Sequence, residues 1–325
     1  MLEGTATSAQ LAAFMVALRV KGETVDEMTG LVTAMLDAAE HVDLPAGCEA
    51  VDTCGTGGGP TRRLAAFNVS TIAGFVIAGA GAAVCKHGNR AASSTSGSAD
   101  LLEALGMAID LGPDGVLRCV AEANLGFCFA PRFHPAMRHA GPTRREVGVP
   151  TVFNFLGPLA NPAGVRRQVV GVSDPTMAEK MVGVLEAKGT VRALVVYGHD
   201  GLDEITTTTT STVIELRDGE VQTSVVDPQD FAIPRAGPTS IQGGDASANV
   251  ELARRVLAGE PGSHRDLVLL NAGAGLVAAG VAEDLAEGYE VAMASVDGGA
   301  AAHVVERVVQ VSQAAAGADS GSVRP

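Results

Sequence analysis

Residue types suited to phosphate binding are concentrated in one stretch of the chain, between Asp52 and Asp100. A short apolar segment at residues 50–54 runs directly into the glycine cluster at residues 55–59. Because glycine has no Cβ, bare backbone N–H groups in such a cluster can approach an anion closely. Polar and basic residues then follow, at the start of a predicted helix and beyond it: Asn68, Ser70, Thr71, Lys86, His87, Asn89, Arg90, Ser93 and Ser94. A helix N-terminus attracts phosphate through its free N–H groups and its dipole, so the stretch predicts a phosphate-binding surface.

Two common phosphate-binding motifs do not match this stretch. A Walker loop needs a lysine at a fixed distance after its first glycine, and no lysine stands there. A dinucleotide fingerprint needs a third glycine where Pro60 stands, and an acidic residue where the next strand ends in Lys86. The glycines could instead form only a tight turn, but the basic and hydroxyl residues downstream favour an anion site.

A second group of chemically useful residues is the pair Asp203 and Glu204, which follows a predicted strand at residues 193–197. Adjacent carboxylates among glycines suit Mg²⁺, which binds through a few carboxylates and completes its shell with substrate phosphates and water. An acidic pair in a turn can also be merely solvated. A zinc site is disfavoured because no second His or Cys lies at ligand spacing.

Composition and charge narrow the class of protein. The chain has 325 residues, 46% of them hydrophobic, and a net charge of −14, which argues against a nucleic-acid partner. The basic residues nevertheless concentrate between Lys86 and Arg167, as an anionic small molecule would require. Five cysteines without CxxC spacing are typical of a reduced, cytoplasmic protein. The sequence indicates neither a signal peptide nor a transmembrane segment.

The elements that must position these residues follow an α/β pattern. Two amphipathic helices are predicted within residues 8–41, the second starting with a capping box of Thr24 and Glu27. After Pro45, strands alternate with helices, which is typical of a mostly parallel central sheet flanked by helices. The predicted strands are 50–54, 82–86, 125–129, 168–172, 193–197 and 212–216, and the threonine run 206–212 is interpreted as strand.

We therefore predict a small all-helical domain, residues 1–46 with 132–165, and a larger α/β domain, residues 47–131 with 166–312. The tail at 313–325 is small and polar, and disorder is predicted for it.

Six runs along the chain resemble the anthranilate phosphoribosyltransferase family, in the nucleoside phosphorylase-like class of phosphoribosyltransferases. They are GTGG, FNVST, KHGNRAASSTSGSADLLEALG, FAPRFHPAM, FNFLGPLANP and GLDE, in this order. The similarity extends from about Ser8 to about Val309. It implies Mg²⁺-dependent transfer of phosphoribose from 5-phosphoribosyl 1-pyrophosphate to the amino group of anthranilate, a step of tryptophan biosynthesis that releases pyrophosphate.

The resemblance also implies roles for individual residues. The phosphoribosyl pyrophosphate site would comprise Gly55, Gly57, Gly58, Asn68, Ser70, Thr71, Lys86, His87, Gly88, Asn89, Ser93 and Ser94. The anthranilate site would comprise Gly55, Asn89, Pro131, His134, Met137 and Arg144. Two magnesium ions would be held by Ser70, Asp203 and Glu204. No covalent catalyst is implied, and Lys86, Asn89 and Arg144 would act by positioning. The family further implies a homodimer formed through the small helical domain.

One departure from the family leaves the acceptor open. The family's glycine motif ends in aspartate, whereas this chain has Gly59 there, followed by a longer loop that contains Arg62 and Arg63. The added positive charge predicts tighter pyrophosphate binding or an extra acidic group on the substrate. Two alternatives to anthranilate transfer remain: transfer to a different aromatic acid in specialised metabolism, and a non-catalytic nucleic-acid-binding relative with the same fold.

Overall fold

A seven-stranded sheet forms the centre of the molecule in the computed structural model, which describes residues 1–57, 67–91 and 96–321. The sheet order is β3-β2-β1-β4-β5-β6-β7. Strands β1 to β5 are parallel to one another, and β6 and β7 complete one edge with antiparallel pairing. The mostly parallel sheet is therefore confirmed. The strands are β1 (Val51–Gly55), β2 (Val84–Gly88), β3 (Leu125–Phe129), β4 (Arg167–Gly171), β5 (Arg192–Gly198), β6 (Ser211–Arg217) and β7 (Glu220–Val226).

Helices precede the sheet, connect its strands and follow it. The capping box predicted for the second helix is present, since the Glu27 N–H donates to Thr24 Oγ1 at 3.2 Å and the Thr24 N–H donates to Glu27 Oε2 at 3.0 Å. The helices are α1 (Ser8–Lys21), α2 (Val25–Asp37), α3 (Val69–Gly79), α4 (Ser98–Ala104), α5 (Pro113–Ala123), α6 (Ala130–Phe133), α7 (Gly141–Val147), α8 (Phe153–Leu156), α9 (Pro175–Ala187), α10 (Ala246–Leu257), α11 (Ser263–Ala279), α12 (Leu285–Asp297) and α13 (Ala300–Gly321). Short 3₁₀ segments lie at Pro135–His139, Gly157–Leu159, Pro228–Phe231 and Pro238–Ile241.

The chain reverses its direction of travel across the sheet between β1 and β4. From β1 it proceeds outward through β2 to β3, and it then returns to place β4 and β5 on the other side of β1. In a parallel sheet such a switch point opens a crevice at the carboxyl ends of the strands, because the two flanking connections leave on opposite faces. Gly55 and Gly57, the described glycines that end β1 and follow it, lie at this crevice.

Two buried apolar clusters cover the two faces of the sheet. The larger one packs α3, α5, α11 and α13 around side chains such as Phe75 and Phe127. The second one joins Met15 of α1 and Met28 of α2 to Met181 of α9 and to side chains of β4, β5 and β6. The helices at the N-terminus therefore share a core with the α/β part of the molecule. The exact domain limits given above stay predictions.

Several elements differ from the sequence prediction. The predicted disordered tail is wrong for residues 313–321, because α13 continues to Gly321 and its Ala315 packs into the larger core at 4% exposure. The threonine run is not all strand: residues 206–210 form a loop, and β6 begins only at Ser211. Strand β7 was missed, although the Asp218-Gly219 pair, both residues with positive φ, is a typical hairpin turn. Helices α12 and α13 were not predicted either.

Two further observations concern the chain as a whole. None of the helices in the described ranges is both long and apolar enough to cross a membrane. All five cysteines are free, including Cys85 and Cys128, whose sulfur atoms lie 3.7 Å apart in the core.

Candidate functional site

The turn after β1 is held against the end of β4 by a short hydrogen-bond network. The Thr56 N–H donates to the Gly171 carbonyl at 2.9 Å, and Thr56 Oγ1 lies 3.0 Å from both Ser173 Oγ and the Ser173 nitrogen. Gly57 has φ +64°, a conformation that L residues with a Cβ rarely adopt. The first half of the glycine cluster is thus a fixed turn at the switch point.

The carboxylate pair reaches this turn from the loop after β5. Asp203 Oδ2 accepts a hydrogen bond from the Gly57 N–H at 2.9 Å. Burial raises the pKa of the Asp203 carboxyl. The pKa of Glu204 is raised well above its usual range by burial and then by the neighbouring Asp203 charge, while Lys86 and the Ser70 amide act in the opposite direction. Two carboxylates that repel each other in a partly desolvated position would be stabilised by a bound cation.

A buried lysine lies beside this pair. Lys86, in β2, is only 3% exposed, and its Nζ donates to the Thr53 carbonyl and to Ser70 Oγ, the latter at 3.3 Å. One cation from β2, one hydroxyl from α3 and two carboxylates from the loop after β5 thus meet at the crevice. Among the described residues no group of three or more His, Cys, Asp or Glu side chains forms a metal-binding cluster. Two carboxylates and a hydroxyl still fit Mg²⁺, which takes oxygen ligands and obtains the rest from phosphate and water.

The threonine run holds the loop that carries the carboxylates. Thr206 Oγ1 donates to Asp200 Oδ2 at 2.6 Å, and Thr208 Oγ1 donates to the same oxygen. Asn271 of α11 clamps the other end, because its side chain accepts from the Ile205 N–H and donates to the Ile205 carbonyl, each at 2.9 Å. The threonines therefore serve as a scaffold for Asp203 and Glu204, a role that their strand propensity did not indicate.

The N-terminus of α3 is the second predicted anion site. Asn68 is its N-cap residue, but the Asn68 side chain makes no capping bond and instead accepts from Ser96 Oγ at 3.2 Å and from Asn249 Nδ2 at 2.9 Å. Asn249 was missed by sequence reasoning, and nothing in its local sequence distinguishes it. Thr71 is 2% exposed and lies in the first turn of the helix.

Two buried histidines lie next to each other behind the crevice. The rings of His87 and His134 have centroids 5.0 Å apart. Burial lowers the pKa of His87 to about 3 and also lowers the pKa of His134, so both rings are neutral at pH 7. The structure thus brings together one residue predicted for each substrate.

A buried carboxylate, Asp52, supports the histidine side of the site and was also missed. It accepts from the His87 N–H at 3.2 Å and from Asn161 Nδ2 at 2.9 Å. Its complete burial raises its pKa. Asn161 also donates to the Cys85 carbonyl at 2.8 Å.

Other predicted residues are present but are not in contact with the carboxylates. Asn89 is exposed at the end of β2, and its Oδ1 accepts from the Arg90 N–H at 2.7 Å. Arg90 is bound to Asp100 and Glu103 and does not point freely to solvent. Pro131 and Met137 flank His134, and Arg144 lies on α7. Gly58, Ser93 and Ser94 lie outside the described residues, as do Gly59, Arg62 and Arg63.

Comparison with known proteins agrees with this architecture. The family described as "Glycosyl transferase family, a/b domain" matches residues 47–302, and "Glycosyl transferase family, helical bundle domain" matches residues 1–39. The chain is 48% identical to the anthranilate phosphoribosyltransferase of Azorhizobium caulinodans, over 97% of this chain and 90% of that protein. It is 50% identical to that of Chloroflexus aggregans, over 96% and 91%.

Solved structures give the same result. The anthranilate phosphoribosyltransferase of Thermus thermophilus superposes with a TM-score of 0.90 at 41% identity, covering 96% of this chain and 92% of that one. The Saccharomyces cerevisiae enzyme in complex with phosphoribosyl pyrophosphate and Mg superposes with a TM-score of 0.86 at 27% identity, over 96% and 90%. A further yeast structure contains 4-fluoroanthranilate, with a TM-score of 0.86 at 25% identity, over 96% and 89%.

Proposed function

The chain belongs to the anthranilate phosphoribosyltransferase family, and we propose that it transfers phosphoribose from 5-phosphoribosyl 1-pyrophosphate to the amino group of anthranilate. The products are N-(5-phosphoribosyl)anthranilate and pyrophosphate, in tryptophan biosynthesis. The observation that carries this proposal is the meeting of Lys86, Ser70, Asp203 and Glu204 with the glycine turn at the switch point. Such a site suits a pyrophosphate with its metal.

The donor would be held by backbone and side-chain groups of three elements. The turn at Gly55 and Gly57 and the first turn of α3 would supply N–H donors, and Lys86 would supply a positive charge. Gly58, which lies outside the described residues, is included in the proposal. Ser70, Asp203 and Glu204 would hold Mg²⁺, with two ions per site. When bound, Mg²⁺ neutralises charge on the pyrophosphate leaving group. The remaining donor residues in the proposal are Asn68, Thr71, His87, Gly88, Asn89, Ser93 and Ser94.

The acceptor would bind on the side of the crevice formed by α6 and α7. Arg144 has no carboxylate partner among the described residues, and burial alone lowers its pKa, so a benzoate carboxylate would supply a missing counter-charge. Asn89 and His134 would orient the ring substituents, while Gly55, Pro131 and Met137 provide the wall. The aromatic amine is neutral at pH 7 and attacks without a strong general base, so catalysis is positioning plus electrostatics.

We also propose a cytoplasmic homodimer that associates through the small helical domain. The five free cysteines are consistent with a reducing compartment. Helix α1 exposes Phe14 at 43% and Val20 at 81%, an apolar surface that a second subunit could cover.

The decisive experiment follows the loss of anthranilate fluorescence in the presence of phosphoribosyl pyrophosphate, with and without Mg²⁺. We expect Mg²⁺-dependent turnover, and a loss of roughly 100-fold or more in kcat for Asp203→Asn. Asp230→Asn, an exposed aspartate outside the site, is the matched control and should retain full activity.

Two results would contradict the proposal in different ways. Donor binding by calorimetry without turnover of anthranilate would point to a different aromatic acid as the acceptor. Absence of donor binding would overturn the phosphoribosyltransferase function itself.

A further inference from the structure

Four consecutive backbone carbonyls at residues 157–160, which we call the carbonyl row, each accept a hydrogen bond from a side chain of a different segment. The row lies in the turn before β4. Its donors, in order from Gly157 to Ala160, are His87 Nδ1 at 3.2 Å, Gln168 Nε2 at 3.0 Å, Lys188 Nζ, and His134 Nε2 at 2.9 Å. Four successive carbonyls bound by side chains form an unusual arrangement, because most such groups in a turn bond to backbone or water.

The two outer carbonyls determine the tautomers of the two site histidines. A carbonyl oxygen can only accept, so the proton of neutral His87 is on Nδ1 and that of neutral His134 is on Nε2. The opposite nitrogens, His87 Nε2 and His134 Nδ1, are then lone-pair acceptors. Both are buried and without a partner among the described residues.

The two inner carbonyls are held by Gln168 and Lys188. Gln168 is 1% exposed in β4, and Lys188 is the C-cap residue of α9. Lys188 has no carboxylate partner among the described residues, and burial lowers its pKa to about 8. A lysine normally keeps its ammonium group in water, and withdrawing it costs free energy that its hydrogen bond offsets only in part. Its placement under the turn therefore calls for a reason other than stability.

We propose that Lys188 is a positioning residue that, together with Gln168, holds the carbonyl row in place and thereby fixes the tautomers of His87 and His134. Lys188 is not among the residues proposed to bind either substrate. It acts through Leu159, whose carbonyl is adjacent to that of Ala160, the partner of His134. The tautomer assignment does not depend on the proposed function. Only the expected effect on anthranilate binding rests on the proposed function.

The test is the variant Lys188→Met, which keeps the apolar stem and removes the donor and the charge. Long-range ¹H–¹⁵N NMR of histidine-labelled protein reads the tautomer of each ring directly. We expect single tautomers in the parent protein, Nδ1–H at His87 and Nε2–H at His134, and mixed tautomers in the variant. In the fluorescence assay we expect the KM for anthranilate to rise about tenfold, with a smaller change in kcat.

Lys180→Met, on the same helix and near Glu23, is the matched control and should leave both readouts at their parent values. Parent tautomers in a folded Lys188→Met protein would overturn the proposal. If Lys188→Met does not fold, Gln168→Met removes the donor to the other inner carbonyl, and the same NMR measurement is made. Mixed tautomers would support the proposal, and parent tautomers would overturn it. A parent protein that turns over no anthranilate would count against the proposed function alone, because the tautomers are still measured.

Discussion

Arg144 is the residue whose surroundings most directly suggest an acidic ligand. Of the two adjacent arginines on α7, Arg145 is exposed to solvent, whereas Arg144 is half-buried. Burial lowers the pKa of Arg144, and none of the described carboxylates offsets this cost. A half-buried guanidinium gains more free energy from pairing with a planar carboxylate than a solvated guanidinium does, because little water must be removed to form the pair.

We expect Arg144→Gln to raise the KM for anthranilate by roughly 10- to 100-fold, since a charge-assisted pair is lost. The KM for phosphoribosyl pyrophosphate should change little. Initial rates measured with each substrate varied in turn will separate the two effects. Arg145→Gln is the matched control one residue away, and an equal effect in both variants would refute a specific role for Arg144.

At the scale of elements, the site depends on the close approach of two strand ends to the loop after β5. Gly55 ends β1 and Gly171 ends β4. A Cβ at Gly55 would overlap the Asp203 carboxylate, and a Cβ at Gly171 would overlap the Asp203 backbone carbonyl. A backbone carbonyl cannot rotate away as a flexible side chain can, so the requirement for glycine is stricter at position 171 than at position 55.

Gly171→Ala should therefore displace the loop that carries the carboxylate pair. We expect kcat to fall by roughly 100-fold, because a shift of about 1 Å in a catalytic group has an effect of that size. The apparent affinity for Mg²⁺ should fall as well, which a Mg²⁺ titration of the rate will show. Gly30→Ala in α2, where a Cβ would meet nothing within 4 Å, is the control. Unchanged Mg²⁺ dependence in Gly171→Ala would show that the loop tolerates the methyl group.

At the scale of the whole molecule, two buried histidines join the central sheet to segments outside it. His87 belongs to the sheet, and its ring bonds to the turn that leads back into β4. Its pKa is about 3 in the folded protein, against an ordinary value of 6.5. Below pH 6.5 the unfolded chain therefore binds a proton that the folded chain does not. Stability must fall as the pH decreases from 6.5 towards 3, by about 1.4 kcal/mol per pH unit for this one group.

We predict that His87→Gln reduces this loss. Between pH 7 and pH 5 the free energy of unfolding of the parent protein should fall by about 2 kcal/mol more than that of the variant. The raised pKa values of Asp52 and Glu204 act in the opposite direction, but they contribute to both proteins and cancel in the difference. Urea unfolding at the two pH values measures the effect. His303→Gln, at an exposed position, is the control and should lose as much stability as the parent protein. An equal loss of stability between pH 7 and pH 5 in His87→Gln and in the parent protein would contradict the prediction.

The sequence alone determined the family and the mostly parallel α/β fold, and it predicted the phosphate-binding stretch. These follow from local patterns: a strand running into glycines, strands alternating with helices, and runs such as KHGN and NFLGPLANP, whose residue types are readable without knowing what they contact. Individual strand limits were close for the same reason, because apolar periodicity is a property of neighbouring residues.

Only the tertiary structure decided which distant residues support the site. Asp52 bonds to His87 and Asn161, Asn249 bonds to Asn68, and the threonine run holds Asp200. The carbonyl row joins residues from β2, β4, α9 and the segment after α6. Most of these contacts join residues that are far apart along the chain, and they involve residue types that are common on surfaces. Their role arises from burial, which makes an unpaired polar group costly and so makes its partner important.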